Sequence, residues 1–130
     1  MIRKYLDNII ENLFTSPVVS SFDIKRQEAE EDEGYIRVKC ILSNGDNLEF
    51  SEYVEIQKNK VSIITYCYHW QNRERELIKR WDNVAHHKKL NTFPHHLHLH
   101  TGKVIESRPM TLSKVLKELE KALFVDLNEE

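Results

Sequence analysis

The sequence predicts an α+β domain, an antiparallel meander of five or six strands packed with an N-terminal and a C-terminal helix. Apolar residues recur at helical spacing near both ends, the period falls to two between them, and polar turn signals separate the runs. Ile2, Tyr5, Leu6, Ile9, Ile10, Leu13 and Phe14 form one stripe of an amphipathic helix, which Thr15-Ser16-Pro17 stops. An early strand over about Val18 to Ala29 opens the meander. The acidic run Glu28 to Glu33 reads as a solvated hairpin end rather than a metal site. Ile36, Val38, Cys40 and Leu42 alternate with Tyr35, Arg37, Lys39 and Ile41, and Ser43-Asn44-Gly45-Asp46 supplies a turn. Leu48, Phe50, Val54 and Ile56 continue the alternation as far as the turn Lys58-Asn59-Lys60. Val61 to Trp70 is apolar or aromatic on both faces, the pattern of a central strand covered on both sides. Gln71-Asn72-Arg73-Glu74 turns again, and Glu76 to Asp82 reads as a further strand. The closing helix takes Leu112, Val115, Leu116, Leu119, Ala122 and Leu123, with Pro109 before it and Thr111 as N-cap, and runs to about Phe124. Both helices are expected on one sheet face, with the histidine segment over the other face or at one sheet end.

A chain of 130 residues with a hydrophobic fraction of 40% has the size and core of one domain, 1–130. Its apolar runs are too short to cross a bilayer, and no apolar segment of a secretion signal follows Met1-Ile2-Arg3-Lys4. Cys40 and Cys67 lie in strand-like runs without a CxxC pair, which fits buried thiols in a reducing cytoplasm. The net charge of -2 conceals an asymmetry. His69 to Arg108 holds eight Lys or Arg against four acids, a local basic field that attracts phosphate-bearing ligands. The competing reading is a solvated surface.

Six of the seven histidines lie between His86 and His100, in two clusters, and imidazole serves as metal ligand, general acid or general base. Three chemistries compete for them. In an extended strand His96, His98 and His100 share a face, and Asp82 or His86 would complete a divalent-metal site, although the spacing matches no established zinc pattern. Metal-independent cleavage of RNA needs a base for the 2′-hydroxyl, an acid for the leaving oxygen and a cation for the phosphate. His86, His87, His95, His96 and His98 with Arg80 meet those needs. Asp82, two residues from Arg80 on a strand, would orient either Arg80 or an imidazole. Tyr66, Tyr68 and Trp70 share a strand face that would stack bases, or else pack the sheet, and Lys88 and Lys89 would hold the RNA backbone. A Cys67-His69 nucleophile ranks last, because a strand thiol between two tyrosines is expected to be buried and protonated.

Tyr66-Cys67-Tyr68-His69, then Arg80-Trp81-Asp82-Asn83-Val84-Ala85-His86-His87, then Thr92-Phe93-Pro94-His95-His96-Leu97-His98 resembles the signature of the TumE family, the toxin half of a prokaryotic type II toxin-antitoxin pair. The matching positions are Tyr66, Tyr68, Arg80, Asp82, His86, His87, Pro94, His95, His96 and His98, whereas Cys67 and His100 stand outside the pattern. The resemblance implies a helix-turn-helix antitoxin of the TumA type as partner. It speaks to a biological setting more than to a reaction, so a ribonuclease without a cofactor, a metal-dependent hydrolase and a non-catalytic RNA- or protein-binding module all stay open. Without the antitoxin, a homodimer is an expected alternative.

Overall fold

A computed structural model describes residues 1–128, with side chains described to Phe124. Along the chain run α1 (Ile2–Thr15), β1 (Val19–Ala29), β2 (Glu33–Leu42), β3 (Asn47–Gln57), β4 (Lys60–Gln71), β5 (Leu77–Asp82), β6 (His96–Leu99), β7 (Val104–Glu106) and α2 (Leu112–Asn128). The strands form one seven-stranded sheet in sequence order, every neighbouring pair antiparallel. The α+β meander is therefore as expected, with two more short strands than the periodicity revealed. Strand β6 has four residues and β7 three, too few for a period to stand out from the loops around them.

The helical stripe of α1 buries Ile2, Leu6, Ile9 and Leu13 against the sheet. Val115, Leu116 and Leu119 of α2 join the same apolar cluster, with Ile36, Val38, Leu48, Phe50, Tyr68, Trp70 and Trp81 beneath them. Both helices thus lie on one sheet face. Thr111 caps α2, its hydroxyl accepting from the Lys114 N–H at 3.2 Å. At the centre of this core Glu52 is buried and accepts hydrogen bonds from Tyr5 of α1 and from Tyr68 of β4, the latter at 2.7 Å. Burial raises the Glu52 carboxyl above its usual range, against the opposing pull of the two tyrosine hydroxyls.

The turns follow from local residue chemistry. Lys58 and Asn59 both take positive φ, 52° and 63°, the pair that closes a two-residue hairpin with the twist of its strands. Gly45, at φ 91°, closes the β2–β3 turn where a side chain would collide with Arg73, which hydrogen-bonds to the Asn44 carbonyl at 2.7 and 3.1 Å.

One expectation for β4 fails. The strand is central, but its residues alternate between buried Tyr66, Tyr68 and Trp70 and half-buried Cys67 and His69. The helices cover one face only, and the opposite face is open and polar.

Candidate functional site

Antiparallel register puts directly paired residues on the same face. Cys67 pairs with Asp82 and Asp82 with His96, while His69 pairs with Arg80 and Arg80 with His98. Trp81 and Leu97, one residue away, belong to the helix-side core. Arg80, Asp82, His96 and His98 therefore converge on the open face at the C-terminal end of β5.

Asp82 is the hub. Its side chain is 2% exposed and accepts from Arg80 Nε at 3.0 Å and the Val84 N–H at 3.2 Å, while His96 Nε2 lies 2.7 Å and His98 Nε2 3.4 Å from its oxygens, pairs that are ionic when the imidazole is protonated. Each carboxylate oxygen thus has one hydrogen-bond donor and one imidazole nitrogen beside it. His96 is equally buried, and its Nδ1 lies 2.9 Å from the Pro94 carbonyl. A carbonyl only accepts, so Nδ1 carries the proton there, and Nε2 bonds the carboxylate when a second proton sits between them. Burial and these two close partners tie His96 to the fold as well as to the cluster, and loss of one member of a buried pair costs ~3–5 kcal/mol.

His98 differs. Its side chain is 29% exposed, and burial holds its imidazole below the usual range, with Asp82 opposing the shift and His96, Arg80 and His87 reinforcing it. His87 is exposed in the loop between β5 and β6, its ring centroid 4.9 Å from that of His96 and 5.9 Å from that of His98. It sits at φ 58°, a left-handed conformation that costs a non-glycine residue ~1–2 kcal/mol. His86 is exposed, 6.3 Å from His87 between ring centroids, and Lys88 and Lys89 are exposed beyond it.

The loop holding these groups is pinned at both ends. Asn83 accepts from the Tyr66 N–H at 2.9 Å and donates to the Ile64 carbonyl at 3.0 Å, fixing the chain as it leaves β5. Thr92 donates to the His95 carbonyl at 2.8 Å and accepts from the Ser107 N–H at 3.1 Å, fixing it where it enters β6.

Several expected participants lie elsewhere. Tyr66, Tyr68 and Trp70 are in the core, so none presents an open ring to a stacking base. Tyr66 accepts from the Met110 N–H at 3.4 Å and gives its proton to His95 Nδ1 at 2.7 Å, against which its ring also stacks. His95 is thereby engaged with Tyr66 rather than with the Asp82 cluster, and burial lowers its imidazole as well. His100 follows β6 in an exposed turn, and the His96-His98-His100 metal triad is not assembled. His87 takes the third place: nitrogen atoms of His87, His96 and His98 all lie within 4.8 Å of one another. A metal there would compete with Asp82 or Pro94 for His96.

A second group joins Arg80, Cys67 and His69 to Arg37, Glu49 and Ser51, which the sequence did not mark as site residues. Arg37, Glu49, Ser51, Cys67, His69 and Arg80 line a cleft of about 250 Å³ on the open face. Arg37 donates to Glu49, with its Nε at 2.9 Å. The signal was present in the period-two alternation, which puts Cys67 and His69 on the same face as Asp82 once the pairing is known.

Of this cluster Arg80 is 40% and His98 29% exposed, with exposed His87 beside them, so a guanidinium and imidazoles reach solvent together, an arrangement suited to a phosphate. The family model described as Toxin TumE matches residues 6–123. No curated protein and no solved structure gives a significant match. Among the described residues no helix is long and apolar enough to cross a membrane.

Proposed function

The chain belongs to the TumE toxin family, and from that premise we propose that it is a toxin that cleaves RNA by metal-independent acid-base chemistry at the Asp82 cluster. The observation that carries the reading is the simultaneous hold of Asp82 on Arg80, His96 and His98. Arg80 gives one guanidinium N–H to Asp82 and keeps the rest for the scissile phosphate. His98, held neutral by burial, takes the proton of the 2′-hydroxyl, whose oxygen attacks phosphorus. The P–O bond to the 5′-oxygen breaks, and His87 returns a proton to that oxygen. The products are a 2′,3′-cyclic phosphate and a 5′-hydroxyl end. Asp82 and His96 are positioning residues in this scheme, His86 and His95 take no direct part, and Lys88 and Lys89 engage the RNA backbone.

The test is incubation of the purified chain with end-labelled RNA, with and without EDTA. Shorter products that persist in chelator support the scheme. Loss of cleavage restored by zinc or manganese transfers the site to the metal reading, which the mutual proximity of His87, His96 and His98 favours. Reversible, salt-sensitive RNA retardation without shortening makes the chain a binding module. Toxin family membership implies an antitoxin partner in general terms. We further propose a helix-turn-helix protein encoded beside this chain, seated over the basic loop at Lys88 and Lys89, in place of a homodimer. Co-purification of the two with tagged toxin checks it, and recovery of the chain as a free homodimer while the neighbour is co-expressed refutes it.

A further inference from the structure

We infer that the cleft lined by Arg37, Glu49, Ser51, Cys67, His69 and Arg80 is a nucleoside subsite for the RNA residue next to the scissile phosphate. The inference rests on the ribonuclease reading and deepens it, because it says where the substrate is recognised once the buried tyrosines and Trp70 are excluded from stacking.

Continuity with the Asp82 cluster is the first argument. Arg80 is common to both: its Nε bonds Asp82 at 3.0 Å, and its side chain lines the cleft together with Cys67. A phosphate on Arg80 therefore has one neighbour over the histidines and the other over the cleft. Size is the second. At about 250 Å³ the cleft falls just below the ~300–1,000 Å³ of small-molecule sites, the scale of one nucleoside rather than a longer stretch of strand. The third is chemistry. Glu49 is a carboxylate fixed by Arg37, able to accept from the N–H groups of a base edge, and Ser51 and His69 flank it as donors or acceptors for a base or ribose hydroxyl.

The experiment uses the full chain with His98→Ala, so that RNA binds without turnover, and a fluorescein-labelled mixed-sequence oligoribonucleotide as probe. Cys67 is the internal reporter, since it lines the cleft while Cys40 is buried in the core and serves as control. Saturating RNA is expected to slow alkylation of Cys67, read by peptide mass spectrometry, and Glu49→Gln and His69→Ala are each expected to weaken RNA binding ~10–100-fold with unchanged melting temperature. In the otherwise wild-type chain the same two substitutions are expected to shift the sequence preference beside the cut. If the chain cuts RNA but Cys67 labels at the same rate with and without it and both variants keep wild-type affinity and cut sites, the subsite is refuted while the ribonuclease reading stands. If RNA protects Cys67 yet the wild-type chain never shortens it, the subsite stands and the cleavage scheme falls. Absence of both binding and cleavage overturns the two together.

Discussion

Replacing Asp82 with Asn and His98 with Ala separates the scaffold of the site from its chemistry. In Asp82→Asn the side-chain shape is kept, but the charge and one acceptor are lost. The partner that matters for stability is His96, because both groups are 2% exposed and breaking a buried pair costs ~3–5 kcal/mol. The Asn oxygen retains one acceptor, which favours the lower end of that range. The Arg80 bond adds under ~1 kcal/mol, since that side chain is 40% exposed and water screens it. A total of ~3 kcal/mol in a chain of 130 residues lowers the melting temperature by ~10–15 °C. His98→Ala removes a contact of 3.4 Å from a partly exposed ring, so its stability effect stays under ~1 kcal/mol. Its rate is expected to fall ~10²–10⁴-fold. Thermal unfolding by circular dichroism and cleavage of a labelled RNA, both at pH 7.5, read the two effects. Asp82→Asn melting within two or three degrees of wild type refutes the hub, and His98→Ala cutting at the wild-type rate refutes the base assignment.

Two pH predictions follow from the buried groups. His98 acts as base only when neutral and its imidazole lies below the ordinary 6.5, so the acid limb of kcat/KM should fall below pH 6.5. Because the unfolded chain takes up that proton first, the contribution of His98 to stability is complete above pH 6.5 and is lost as pH drops from there through the folded value. An acid limb at or above 6.5 shows the assignment to be wrong. Glu52 behaves in the opposite sense: its folded carboxyl is raised above 4.5 by burial, so its stability contribution is full below 4.5 and is lost as pH climbs through the folded value. Glu52→Gln removes that decline, and the melting temperature of the variant relative to wild type should rise between pH 4 and pH 7. Parallel curves exclude the effect.

The sequence by itself determined the local elements and the neighbourhood of the site. Stripes at i, i+3 and i+4 demand a helix and alternation demands a strand, whatever the rest of the chain does, and α1, β1 to β5 and α2 all lie within a residue or two of their expected starts. The pairing of Arg80 with Asp82 is of the same local kind, since residues two apart on a strand share a face. The signature motifs and the histidine content directed attention to the segment whose residues gather around Asp82 for a different reason, composition, which does not say which imidazoles meet.

Only the tertiary structure decided that. Strand β6 is recognisable through its partner β5, whose register seats His96 and His98 against Asp82 and Arg80. The loop before it brings His87 back over the cluster and turns His95 to Tyr66, a sorting that no spacing encodes because residues 83 to 95 follow no regular period. Tyr66, Tyr68 and Trp70 look alike in sequence whether they pack a core or face a ligand. Which face of β4 the two helices cover is settled by where α1 and α2 return across the sheet, and that long-range choice buries the aromatics and leaves Cys67, His69 and the histidine cluster on the open side.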